Sequence, residues 1–162
     1  RWQVIEPRWI PSGSMLPTLQ IQDKILVEKL STKINLKDNL FNLKDNIVVF
    51  KPPETLIKAG YDSDIALIKR VIGIPGDKIE VKDGNLYLND QIQNKFITDK
   101  NINYSIGPVI VPENSLWVMG DNRNNSLDSH VWGPLPYKKI IGRAFLRYWP
   151  LNHFGPIYFP AV

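Results

Sequence analysis

Short apolar runs separated by turn residues dominate this chain, and their period is two rather than 3.6. Lys24–Leu30 (KILVEKL), Asn46–Lys51 (NIVVFK) and Asp64–Ile72 (DIALIKRVI) are rich in β-branched residues and too short for ordinary helices, so each predicts a strand. From Asp77 to Asp90, Ile79 and Val81 alternate with charged residues, Asp83-Gly84 supplies a turn, and Leu86 and Leu88 alternate again. That pattern predicts a β-hairpin. Leu116–Met119 and Ile140–Trp149 predict two more strands. The opening stretch, Trp2 to Ile10, predicts a strand that runs into the turn-rich Pro11-Ser12-Gly13-Ser14-Met15-Leu16-Pro17. Residues 31–45, 52–63 and 91–108 are polar and poorly patterned and read as connections, with a further long loop over 120–136.

The expected fold class is therefore mostly β, an antiparallel sheet body with few short helices and a small excursion or second lobe. Thirteen prolines and ten glycines supply the punctuation such a fold needs. At 162 residues the chain can bury one main core but not two full domains. The expected organisation is one unit over 1–162, with the body drawn from about 1–84 and 109–162 and a variable hairpin or small lobe at about 85–108.

Charge narrows the functional classes. Twenty Lys+Arg face sixteen Asp+Glu, and the basic residues are scattered instead of forming a stripe that tracks phosphates, which argues against nucleic acid as a partner. There is no cysteine, so disulfides, a Cys nucleophile and thiolate metal sites are excluded. With only two histidines, His130 and His153, no His-based metal site and no cofactor is expected. No run approaches the ~20 apolar residues that span a bilayer. The chain begins at Arg1, which suggests that an N-terminal piece precedes it.

Three places concentrate chemistry. Ser12-Gly13-Ser14 puts two hydroxyls in a glycine-containing turn, where a nucleophile can be presented; serines bonding their own backbone would produce the same sequence. Lys69 lies in an apolar strand on the same face as Leu67 and Val71. An ordinary lysine is neutral in about one molecule in a few thousand at pH 7, but burial lowers its pKa and can turn it into a general base. A lysine reaching water from a sheet edge is the competing reading. The loop from Gly120 to Pro134 gathers enough donors and acceptors for a positioning network, or for a solvated loop. Ser126, Asp128 and His130 invite a Ser-His-Asp reading, but the i, i+2, i+4 spacing on an extended segment keeps the outer members apart.

In order along the chain, PSGSMLPTL (11–19), DKILVEK (23–29), KRVIGIPGD (69–77) and GDNRNNSLDSHVWGPLP (120–136) resemble the four motif boxes of the type I signal peptidases. The resemblance covers a little under half of the chain and does not extend to 30–63 or 85–116. It implies a membrane-bound serine endopeptidase that removes signal peptides from preproteins after small residues, at Ala-x-Ala type sites. Ser14 would be the nucleophile and Lys69 the general base. Ser12 and the Ser14 backbone N–H would hold the oxyanion, Ser126 would orient Lys69, and Asp121, Asp128 and His130 would support the loop. Ile10, Met15, Leu16 and Ile68 are expected to line the shallow substrate pockets.

The resemblance also implies one or two membrane anchors ahead of Arg1 and a catalytic region on the extracytoplasmic or thylakoid-lumen side of the membrane. Two positions depart from the family pattern. His130 stands where arginine is common, as in cyanobacterial and chloroplast members, which predicts a weaker, pH-sensitive pair with Asp128. Gln22 stands where a glycine often precedes the aspartate of the second box. Trp2, Trp9, Trp132, Trp149, Phe154, Tyr158 and Phe159 are many large aromatics, and some are expected to form a surface that touches the lipid bilayer. Two other readings stay open: a self-cleaving repressor-type peptidase with a similar serine-lysine pair, and a non-catalytic β domain that binds near a membrane.

Overall fold

The computed structural model describes residues 5–29, 40–93 and 101–157. The chain is mostly antiparallel β. Eight strands form one sheet in the order β1 (Ile5–Trp9), β2 (Lys24–Lys29), β11 (Ile140–Trp149), β3 (Ile47–Phe50), β4 (Leu67–Gly73), β9 (Ser115–Met119) and β10 (Leu135–Pro136), with β12 (Gly155–Pro156) added on β11. A second sheet runs β7 (Gln91–Ile92), β6 (Asn85–Leu88), β5 (Lys78–Lys82) and β8 (Ile106–Ile110).

Each strand's burial follows its pattern. In β3 all four residues of IVVF are buried, as a continuous apolar run covered on both faces should be. Val48 and Phe50 join Val71, Leu116, Val118 and Trp132 in one cluster, whereas Ile47 and Val49 join Ile10, Met15, Leu19, Ile25 and Val27 in another. β9 alternates likewise: Leu116 and Val118 enter the first cluster, and Trp117 and Met119 enter a third with Ile79, Val81 and Leu86 of the second sheet. The hairpin at β5–β6 turns on Asp83 and Gly84, both at positive φ (51° and 80°), the signature of a type I′ turn.

Several elements differ from the expectation. The strand predicted from Asp64 begins at Leu67, because the Asp62 carboxylate accepts the Asp64 N–H (2.9 Å) and closes a local turn. The polar connection after Pro52-Pro53 forms a short helix, α1 (Glu54–Lys58), with Glu54 in its first turn, Lys58 in its last and Leu56 buried. β8 carries Gly107 and Pro108, which hide its strand character; it is an edge strand, where proline is tolerated. Gln22 adopts φ 70°, the left-handed conformation that a glycine at this position would take without strain, and its N–H bonds the Ile10 carbonyl (2.7 Å). Among the described residues no helix is long and apolar enough to cross a membrane.

Candidate active site

The turn after β1 is held from below and from the side. Met15, Leu19 and Ile10 anchor it in the core, and the Leu16 N–H bonds the Gly13 carbonyl (3.1 Å). From the loop after β9, the Asn122 N–H donates to the Ser14 carbonyl (3.0 Å) and its Nδ2 to the Gly13 carbonyl (3.0 Å). The Ser14 side chain is left to point at β4, where Lys69 Nζ donates to Ser14 Oγ at 2.9 Å. Ser12 Oγ donates to Ser14 Oγ at 3.4 Å.

Lys69 is 5% exposed. Burial lowers its pKa from the ordinary lysine value to about 8, opposed by the nearby Asp128 carboxylate. At pH 7 roughly one molecule in ten is then neutral, several hundredfold more than for a solvated lysine. An uncharged amine in hydrogen-bond contact with a hydroxyl is the arrangement a general base needs.

Arg70, the next residue, is buried against Asp121: Nε meets Oδ1 at 2.9 Å and Nη2 meets Oδ2 at 2.8 Å. Thr18 Oγ1 also donates to Asp121 Oδ2 (2.6 Å), so one carboxylate ties β4, the loop after β9 and the end of the Ser14 turn together. Asp128 is buried as well. Its Oδ2 accepts the Gly120 N–H (2.9 Å), and its Oδ1 accepts the His130 N–H (3.1 Å) as the N-cap of α2 (Ser129–Trp132). His130 Nδ1 also meets Oδ1 of Asp128. Gly120 has no room for a side chain: a Cβ there would fall on the Ser126 hydroxyl and 2.5 Å from the Ser14 carbonyl oxygen.

The structure thus brings together Ser14, Lys69 and Ser12, with Asp121 and Asp128 in the surrounding scaffold. Ser126 stands differently from what the resemblance implies. Among the described residues Ser126 makes no hydrogen bond to Lys69, and its hydroxyl is buried beside Gly120 without a partner. Among the described residues Ser126 also makes no bond to Asp128 or His130, in keeping with the spacing argument against a triad there. Of the residues expected at the pocket, Ile10 and Met15 are 2% and 1% exposed and pack in the core beneath the turn, while Leu16 and Ile68 are half-buried. Of the aromatics, Trp132 packs on Phe50 in the core (ring centroids 5.9 Å apart), whereas Trp9, Trp149 and Phe154 are exposed. Trp2, Tyr158 and Phe159 lie outside the described residues.

Sequence reasoning missed Arg70, Thr18 and Asn122 as parts of the site. Arg70 carried a usable signal, a second cation inside one apolar run, since a buried arginine demands a carboxylate.

Residues 1–149 match the family described as signal peptidase, peptidase S26. The chain is 43% identical over 152 residues to a probable signal peptidase I-2 of Synechocystis sp., covering 94% of this chain and 66% of that protein. It is 46% identical over 158 residues to a probable signal peptidase I-1 of the same organism, covering 97% and 78%. A probable thylakoidal processing peptidase 2, chloroplastic, of Arabidopsis thaliana is 45% identical over 157 residues, covering 97% of this chain and 41% of that protein.

Proposed function

This chain belongs to the signal peptidase family, peptidase S26, and from that premise we propose that it removes signal peptides from exported preproteins by serine-lysine chemistry. The observation that carries the reading is the 2.9 Å contact between Ser14 Oγ and a buried Lys69 whose pKa is lowered to about 8. Neutral Lys69 takes the Ser14 proton as Oγ attacks the scissile carbonyl. The tetrahedral oxyanion is held by the Ser14 backbone N–H and the Ser12 hydroxyl, and the Lys69 ammonium then protonates the leaving amine. A water deprotonated by Lys69 hydrolyses the acyl-enzyme and restores Ser14. Half-buried Leu16 and Ile68 favour small uncharged side chains on the acyl side of the cut, as in Ala-x-Ala sites.

The test is cleavage of a preprotein bearing an Ala-x-Ala site by the chain and by folded Ser14→Ala and Lys69→Ala variants. Both variants are expected to be inactive. Cleavage at the parent rate by either would overturn the mechanism and favour a non-catalytic membrane-proximal module; cleavage of the chain itself in place of the preprotein would favour a self-processing peptidase.

The second partner is the lipid bilayer, on its extracytoplasmic or thylakoid-lumen side. Trp9, Lys24 and Trp149 stand in register across β1, β2 and β11, with Lys24 Nζ 5.7 Å from the centre of a Trp149 ring. Exposed Leu151 and Phe154 follow directly. Indole, ammonium and apolar side chains on one rim suit the headgroup region. In flotation with anionic liposomes the chain is expected to rise with the vesicles and a Trp9→Ser/Trp149→Ser double variant to stay behind; a parent that does not float removes this partner.

A further inference from the structure

Tyr104 has no part in the chemistry just described, yet it joins the second sheet to the active site. It lies just ahead of β8, and its segment is fixed from two directions. The Asn103 N–H donates to Asn124 Oδ1 (2.8 Å) while Asn124 Nδ2 donates to the Asn101 carbonyl (2.9 Å), a reciprocal pair that ties 101–103 to the loop after β9. Ile102, buried in the cluster of the second sheet, donates its N–H to the Gly84 carbonyl at the hairpin turn (3.0 Å). Held this way, the Tyr104 ring stacks on the imidazole of His130, with centroids 3.8 Å apart and planes 13° from parallel. Among the described residues the buried Tyr104 hydroxyl has no hydrogen-bond partner, so the contact uses the ring and not the phenol.

His130 faces Asp128 with both its backbone N–H and Nδ1. The other oxygen of Asp128 holds the Gly120 N–H, and Asn122, two residues on, holds the carbonyls of Gly13 and Ser14. An unbroken run of contacts therefore leads from Tyr104 through His130, Asp128 and Gly120 to the backbone of Ser14. The charged groups around it are Asp128 itself, Arg123, which acts on Tyr104 and Asp128, and Asp121 and Arg70, which act on Arg123. Asp128 is also the carboxylate that acts on Lys69.

We propose that Tyr104 and His130 are positioning residues: their stack aims the imidazole at Asp128, and the carboxylate so held fixes the Gly120–Asn122 segment against Ser14. The proposal rests on the reading of Ser14 and Lys69 as the catalytic pair. Displacements of about 1 Å in such a constellation reduce rates by as much as about a hundredfold, so a rigid support at this distance matters. The imidazole also draws charge from Asp128. Without it, the carboxylate is freer to hold Lys69 as an ammonium, and the acid limb of the rate profile moves to higher pH.

The test measures kcat, KM and the pH profile on a synthetic peptide with an Ala-x-Ala site, for the chain and for Tyr104→Ala, Tyr104→Phe and His130→Phe, with thermal unfolding recorded for each. Tyr104→Ala and His130→Phe are expected to lower kcat by about tenfold with little change in KM, and to shift the acid limb upward. Tyr104→Phe keeps the ring and is expected to match the parent in both. A folded Tyr104→Ala with the parent's kcat and acid limb overturns the proposal, as does a Tyr104→Phe that loses as much as Tyr104→Ala. Should Tyr104→Ala fail to fold, His130→Phe decides alone, because it preserves the stack and removes the donor; a parent-like profile there is equally fatal. Ser14→Ala separates the two levels. If it still cleaves, the catalytic reading falls; if it is inactive while Tyr104→Ala behaves as parent, only the positioning role falls.

Discussion

Lys69 and Arg70 are neighbours on one strand and both are buried, but their surroundings are opposite in kind. Arg70 meets Asp121 through two hydrogen bonds, and the same carboxylate takes the Thr18 hydroxyl. Among the described residues Lys69 has the hydroxyl of Ser14 as its hydrogen-bond partner, with Asp128 acting at longer range. A cation given a carboxylate stays charged and works as a strut. A cation given a neutral partner in a desolvated place loses its proton readily and becomes a base. Arg70 is thus held in place by its partner while stability is given up at Lys69, and that loss is what the proposed chemistry uses.

Breaking the strut gives the largest expected effect on the fold. Asp121→Ala leaves the Arg70 guanidinium buried without its carboxylate and frees Thr18, so the unfolding free energy should fall by about 3–5 kcal/mol, read as a lower urea midpoint. A double variant, Arg70→Met with Asp121→Leu, should recover most of that loss, since apolar replacement of both members of a buried pair is often neutral or stabilising. If Asp121→Ala unfolds at the parent's midpoint, Arg70 is not held by this pair and the contrast with Lys69 disappears.

The opposite sign is expected at the base. Burial holds the folded pKa of Lys69 at about 8, below its value in the unfolded chain. The resulting destabilisation is full below pH 8 and fades as pH rises toward the unfolded value near 10.5. Lys69→Met should therefore abolish cleavage while raising the unfolding free energy at pH 7 by about 2 kcal/mol, after allowing for the lost Ser14 contact. The gain should shrink between pH 8 and 10.5. In the parent, kcat/KM should rise with pH up to about 8. A Lys69→Met variant less stable than the parent at pH 7 would mean that the lysine is a structural cation like its neighbour.

How much of this was legible from sequence depended on whether the physics was local. Strands β2, β3, β9 and β11 and the β5–β6 hairpin follow directly from alternation and from the Asp83-Gly84 turn, and the structure places them within a few residues of the expectation. β8 was not legible because Gly107 and Pro108 interrupt its pattern, and α1 was not because one buried leucine, Leu56, gives no period. At the site, Ser14 and Lys69 each fitted a structural role when read alone; the four ordered motifs singled them out, and the fold sets 2.9 Å apart two atoms whose residues are 55 positions apart in sequence. Arg70–Asp121 and Tyr104–His130 were invisible for the same reason, since nothing near either residue in sequence specifies its partner. Ile10 and Met15 were assigned to the substrate pocket from their proximity to Ser14 along the chain, which does not specify the side of the turn a side chain takes, and the fold buries both.

The smallest effect bears on whether Lys69 has a second neutral partner. Ser126 sits beside Gly120 and the Ser14 backbone with a buried hydroxyl that makes no hydrogen bond among the described residues. Burying such a group unpaired is unfavourable, so Ser126→Ala should leave the unfolding free energy unchanged or raise it by up to about 1 kcal/mol, and kcat should stay within about threefold of the parent. A small cavity is the only loss, because alanine keeps the Cβ that packs on Gly120. A drop in kcat of tenfold or more, together with a change in the pH at which activity rises, would require the Ser126 hydroxyl to reach Lys69 during turnover. The base would then be held between two hydroxyls instead of one, and its contrast with the carboxylate-bound Arg70 would be sharper still.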